Sequence, residues 1–212
     1  MDEILRPDNS GVVTSLVVIV VGSSGVGKKT LIAKFSEDRK CEIQCFDDEE
    51  LCAFVVDGQT ICLSLVEYSL EGESRLKSSL QTLSGGECVV MALFDVTNRE
   101  SLDALKSFYS SLESIAANPI ARTPLFVVGN KTDLADRRAV QQDEGRAFAE
   151  SLGCKYMEAC AQTKENLDEL FCEMYRASHP PSASPSTTDN HSEELEHADH
   201  KPDKKKKKCI VM

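Results

Sequence analysis

Three glycines and a lysine in the run Gly22-Ser23-Ser24-Gly25-Val26-Gly27-Lys28 have the types and spacing to grip an anion. Glycines at both ends let the backbone turn tightly enough for successive N–H groups to converge on one point. The apolar run Leu16–Val21 leads straight into the loop and a helical pattern leaves it, so the positive end of a helix dipole adds to those N–H groups. Lys28 then reaches the outer phosphates of a nucleotide as a point charge. The pattern asks next for a serine or threonine hydroxyl to hold Mg²⁺, and the chain has Lys29 instead. Thr30 follows one residue later, about 100° round the helix. An ammonium beside the metal position repels the ion, so residues 22–30 read as a phosphate loop that has lost its metal hydroxyl.

A second run, Gly129-Asn130-Lys131-Thr132-Asp133, follows the apolar segment Leu125–Val128. The C-terminal ends of parallel strands are where open α/β sheets bind ligands. A carboxylate at Asp133 can accept hydrogen bonds from the N1–H and 2-amino groups that guanine has and adenine lacks, and leaving those partners unmatched discriminates against ATP. An ATP-driven kinase or ATPase is therefore disfavoured. The NKxD pattern, about a hundred residues after a phosphate loop, makes a guanine nucleotide the expected ligand.

Positioning these loops requires an alternation of strands and helices, and the apolar patterning supplies one from about Val12 to Arg176. Leu16–Val21 has no polar alternation and reads as a strand covered on both faces. Leu51–Val56 and Ile61–Val66 flank Asp57-Gly58, a hairpin signal that makes this pair antiparallel at the sheet edge. Val89–Phe94, Leu125–Val128 and Lys155–Ala159 complete six strands. Thr97 and Glu100 have capping-box spacing before a helix carrying Leu102, Leu105, Leu112 and Ile115. A helix over Val140–Leu152 stops at Gly153, and Leu167, Leu170, Phe171 and Met174 form one apolar stripe on another.

The chain of 212 residues has room for one cored domain and a tail. No apolar stretch approaches the ~20 residues of a membrane helix. Nine cysteines without CxxC spacing, several inside apolar runs (Cys52, Cys62, Cys88), read as reduced buried thiols. The net charge is −11, yet the last twelve residues hold six lysines and one aspartate. An acidic body argues against nucleic-acid binding, and a basic end argues for a local electrostatic contact. Ser178–His200 is polar and poor in large apolar residues, the composition of disorder, and its His191, His197 and His200 read as solvated rather than metal-binding. Cys209-Ile210-Val211-Met212 has the form of a prenylation box, with methionine favouring farnesyl, and Lys204–Lys208 precede it. One lipid chain holds only marginally, so the lysines act as the second signal at an anionic membrane surface.

With both loops in view, residues 16–176 resemble the Ras superfamily of small GTPases. Val55–Thr60 is similar to that family's second hairpin, and Phe94–Ser101 to its fourth strand and the following helix entry. Glu158–Thr163 is similar to the family loop whose backbone contacts the guanine oxygen; Cys160 and Gln162 depart from it, while Ala161 is kept. The resemblance implies an α/β, P-loop NTPase-type three-layer fold: a six-stranded, mostly parallel sheet with helices on both faces. It implies GTP and GDP as ligands, with Mg²⁺, the family's companion ion, put in doubt by Lys29, effector and regulator proteins as partners, and signalling from the cytoplasmic face of the plasma membrane or an endomembrane. Residues 1–15 are then an N-terminal extension and 177–212 a variable tail, more similar to the polybasic Ras proteins than to Rab proteins.

The switch segments depart from the family. No threonine occurs between Thr30 and Thr60, where the family binds Mg²⁺ and senses the γ-phosphate, and Asp47-Asp48-Glu49-Glu50 lies there instead. Glu67-Tyr68-Ser69-Leu70-Glu71 stands where the family has DTAGQ, replacing the metal-side aspartate, the phosphate-sensing glycine and the water-orienting glutamine. No catalytic residue is assigned, and GTP hydrolysis is expected to be slow or absent. Two readings stay open: a nucleotide-binding signalling protein, and a pseudo-GTPase kept as a membrane-tethered interaction module.

Overall fold

The computed structural model of the chain describes residues 14–37, 39, 50–70, 88–113 and 123–180. Six strands, β1 (Thr14–Gly22), β2 (Glu50–Val56), β3 (Gln59–Ser69), β4 (Cys88–Asp95), β5 (Leu125–Asn130) and β6 (Lys155–Glu158), form one sheet in the order β2-β3-β1-β4-β5-β6. All neighbours run parallel except β2 and β3. The helices among the described residues are α1 (Lys28–Ser36), α2 (Arg99–Glu113), α3 (Gln142–Ser151) and α4 (Leu167–Ser178), with a short 3-10 segment at Thr132–Arg137. This is the expected α/β architecture.

Burial on both sides explains the apolar run of β1. Leu16, Val18 and Val20 join a core with Leu31, Ile32 and Phe35 of α1 and Leu170, Phe171 and Met174 of α4. Ile19 and Val21 point the other way, into a core with Leu102, Leu105 and Leu112 of α2 and Phe148 of α3. The two-residue period of a strand thus feeds two helix layers from one continuous apolar segment.

The β2–β3 hairpin turns where expected, with Asp57 (φ 50°) and Gly58 (φ 82°) both left-handed, the conformation that matches strand twist in two-residue hairpins. Arg176 of α4 forks onto Asp57 at 2.7 and 3.0 Å, and the Tyr175 hydroxyl donates to Gln59 at 3.1 Å. On the outer margin of β2, the Ala53 N–H donates to the Arg39 carbonyl at 3.1 Å. The Arg39 guanidinium lies 4.4 Å from the centre of the Phe35 ring and donates to Asp168.

Two local expectations are corrected. The α2 cap is Asn98, not Thr97: the Asn98 side-chain oxygen accepts from Glu100 N–H at 3.0 Å. Thr97 turns its hydroxyl back to Asp95 at 2.7 Å, because that buried carboxylate is the stronger acceptor. The third helix begins at Gln142 rather than Val140, with Gln141 and Glu144 forming the capping box. Gly153 stops it at φ 66°, as its position required. Cys52, Cys62, Cys88 and Cys160 are buried thiols, outside any disulfide. Ile115, Asp47–Glu49, Glu71, His191, His197, His200 and the Lys204–Met212 segment lie outside the described residues.

Candidate nucleotide site

The phosphate loop leaves β1 at Gly22, where a side chain would meet the Leu93 carbonyl of β4 at 2.4 Å. Close packing of two strands therefore demands that glycine. The loop closes at Gly27, whose φ is 99° and whose missing Cβ leaves room for the Asn130 amide, 2.4 Å from where that carbon would sit. Between them Ser23 is half-buried, Ser24 and Gly25 are exposed and Val26 is buried. Lys28 is buried and lies across the loop, donating to the Gly22 carbonyl at 2.8 Å and the Ser23 carbonyl at 2.9 Å. Lys29 and Thr30 are exposed on the first turn of α1.

Two residues of the second motif bind the two loops together. Asn130, only 1% exposed, donates to the Val26 carbonyl at 2.9 Å and accepts from Ala161 N–H at 3.1 Å. Lys131 donates to the Gly25 carbonyl at 2.8 Å and to Asp95 at 2.7 Å. Asp133 is exposed and accepts from the Cys160 thiol at 3.0 Å, and the same sulfur accepts from Thr163 N–H at 3.3 Å. A thiol is a weak donor, so Cys160 holds the Asp133 carboxylate only lightly. Gln162 is exposed at the tip of that loop. Phosphate loop, NKxD segment and the 160–162 loop accordingly meet at one corner of the sheet.

Asp95 and Glu158 complete the site; the sequence placed each inside a family-like run but gave neither side chain a role of its own. Asp95 closes β4 beside Asn130 of β5 and is 7% exposed. Burial pushes its carboxyl up, but hydrogen bonds from Lys131 and Thr97 outweigh this and hold it below the usual carboxylate value. A charged residue ending the apolar run CVVMALF was the available signal. Glu158 sits beneath the base loops; burial likewise raises it, and Arg138, the Tyr156 hydroxyl and Gln142 together bring it below its usual value.

Magnesium, which the family resemblance implies, does not fit the described side chains at this corner. The ion takes an octahedron of oxygens. At the second position of α1 the chain offers the Lys29 ammonium, with Nζ 3.6 Å from Glu67 Oε1 of β3. A dication would have to share one carboxylate with an existing cation.

The Ras family's sequence pattern matches residues 17–179 of this chain. The chain belongs to the Ras family. Ras-family relatives include GTP-binding protein ypt2 of Schizosaccharomyces pombe, 31% identical over 162 residues that cover 75% of this chain and 78% of the relative. Ras-related protein Rab-8B of Bos taurus is 30% identical over 162 residues, covering 75% and 76%. Ras-related protein RABD2a of Arabidopsis thaliana is 29% identical over 160 residues, covering 74% and 76%. These relatives are Rab and Ypt proteins rather than the Ras-type proteins that the sequence reading had put nearest.

Proposed function

We propose that this Ras-family chain binds guanine nucleotide and hydrolyses GTP slowly or not at all, working as a membrane-held binding protein for partner proteins. The observation that carries it is the joining of the loops: Asn130 and Lys131 hold Val26 and Gly25 while Asp133 stands exposed beside them. A guanine-recognition segment tied to a phosphate loop pre-positions base and phosphate contacts, which lowers the ordering cost of binding. Loss of turnover is supported at the opposite side of the site. Lys29 stands in place of the metal hydroxyl, and Leu70, in place of a phosphate-sensing glycine, packs against the α2–α3 core. Residues 16–176 form the nucleotide-binding part, residues 1–15 an extension, and 177–212 the tether, with Cys209 lipidated and Lys204–Lys208 against anionic lipid.

The test is to denature the purified protein and identify released nucleotide, then to measure GTP turnover. Guanine nucleotide with negligible turnover is expected. Turnover at the rate of active family members would refute the hydrolysis part, and no guanine nucleotide under any condition would leave the interaction-module reading. For the tether, Cys209→Ser should move the protein from the membrane to the soluble fraction.

A further inference from the structure

Lys29 and Glu67 form an arrangement that the loss of the metal ligand alone does not explain. Ile61, Leu63 and Leu65 of β3 lie in the core that α1 covers, so Glu67 and Ser69, continuing the same two-residue period, face the α1 side. Their register places Glu67 opposite Val20 and Ser69 opposite Gly22, beside the entrance to the phosphate loop. Here Glu67 Oε2 and Ser69 Oγ are buried without a hydrogen-bond partner among the described residues. The other Glu67 oxygen faces the Lys29 ammonium at 3.6 Å, and the Lys29 side chain is 87% exposed. A pair this long and this exposed holds the lysine only weakly. The ammonium is thus kept near the loop, beside the buried Lys28, and remains able to turn.

We infer that Lys29 serves the nucleotide site as its cation: its ammonium bridges the Glu67 carboxylate and the nucleotide phosphates, so that binding needs no divalent ion. This rests on the guanine-nucleotide reading above and adds to it the source of the neutralising charge. Phosphates at a helix N-terminus need positive charge beyond the N–H groups when no metal is present. A lysine is a compact point charge with three donors, enough to serve a carboxylate and phosphate oxygens together. Glu67 keeps the side chain on the loop side of α1 and thereby positions it.

The test titrates the full chain with a fluorescent GDP analogue, once in Mg²⁺ and once in excess EDTA. Wild type is expected to bind equally in both buffers. Lys29→Ser is expected to weaken binding in EDTA by about ten- to a hundredfold, the worth of one charge-assisted hydrogen bond. Adding Mg²⁺ is expected to restore that variant, since serine offers the ion an oxygen, and Lys29→Arg to recover most of the EDTA affinity. Because Lys29 is exposed, the variants should melt with wild type, which circular dichroism checks. Wild-type binding that collapses in EDTA, or Lys29→Ser binding as tightly as wild type in EDTA, overturns the inference and leaves the proposed function standing. No uptake by wild type in either buffer overturns both.

Discussion

Replacing Asn130 with alanine should destabilise the folded protein as well as weaken nucleotide binding. The side chain is 1% exposed and makes two hydrogen bonds to separate loops, to the Val26 carbonyl and from the Ala161 N–H. Both bonds are buried, so truncation leaves a carbonyl and an N–H without partners. Each unsatisfied group costs about 1–3 kcal/mol, and allowing for partial relaxation the sum is about 2–4 kcal/mol. For a domain of this size each kcal/mol lowers the melting temperature by about 2–4 °C, so a fall of about 4–16 °C is expected. The assay is thermal unfolding followed by circular dichroism, with and without added GDP. Added GDP should recover less of the loss than it adds to wild type, because the same residue ties the phosphate loop in place. A melting temperature within about 1 °C of wild type would refute the argument, since it would mean that neither bond contributes in solution.

Gly27→Ala and Gly58→Ala place a side chain at positive φ, but only the first drives a carbon to 2.4 Å from the Asn130 amide. Gly58→Ala should cost about 1–2 kcal/mol of unfolding free energy in denaturant titration and leave nucleotide affinity alone, whereas Gly27→Ala should also abolish binding. Cys160→Ser keeps a donor toward Asp133 and should bind GDP at least as well as wild type, while Cys160→Val should weaken it by about tenfold in the same titration. Asn98→Ala should cost about 1 kcal/mol of stability as the loss of a helix cap, measured by urea unfolding. Asp95 and Glu158 lie below their usual carboxylate values in the folded chain, so they bind protons more weakly than in the unfolded chain. Their stabilising effect is therefore complete above the usual carboxylate range and is lost as pH falls through the folded values. Urea midpoints should drop below about pH 4, and Asp95→Asn should flatten that drop while lowering stability at neutral pH.

The glycines of the phosphate loop, the NKxD segment and the hairpin at Asp57-Gly58 were legible because each answers a local backbone or chemical demand. Gly153 was legible for the same reason. The two strand faces were implied by the unbroken apolar run of β1, though not which helix covers which face. Contacts between residues distant in the chain were hidden. The Lys29–Glu67 pair depends on β3 reaching Ser69, three residues beyond its apolar stretch, so that its end draws level with Gly22. The choice between Thr97 and Asn98 as helix cap depends on Asp95 taking the threonine hydroxyl, a competition that spacing alone does not reveal. The link from Lys131 to Asp95 needs the β4–β5 register, which sets Asp95 against Asn130.

The clasp of Arg39 and Arg176 on the β2–β3 hairpin also bears on association. An open sheet has two margins at which another strand could add. On the β2 margin the Ala53 N–H is already bonded to Arg39, and Arg176 pins the turn at Asp57. The opposite margin is β6, four residues long and flanked by the Lys155–Glu173 and Arg138–Glu158 ion pairs. Among the described residues, one amide at the middle of the β2 margin is thus covered and the β6 margin is short. A strand adding at the β2 margin would therefore have to break the Ala53–Arg39 bond, and one adding at β6 would find only four residues to pair with.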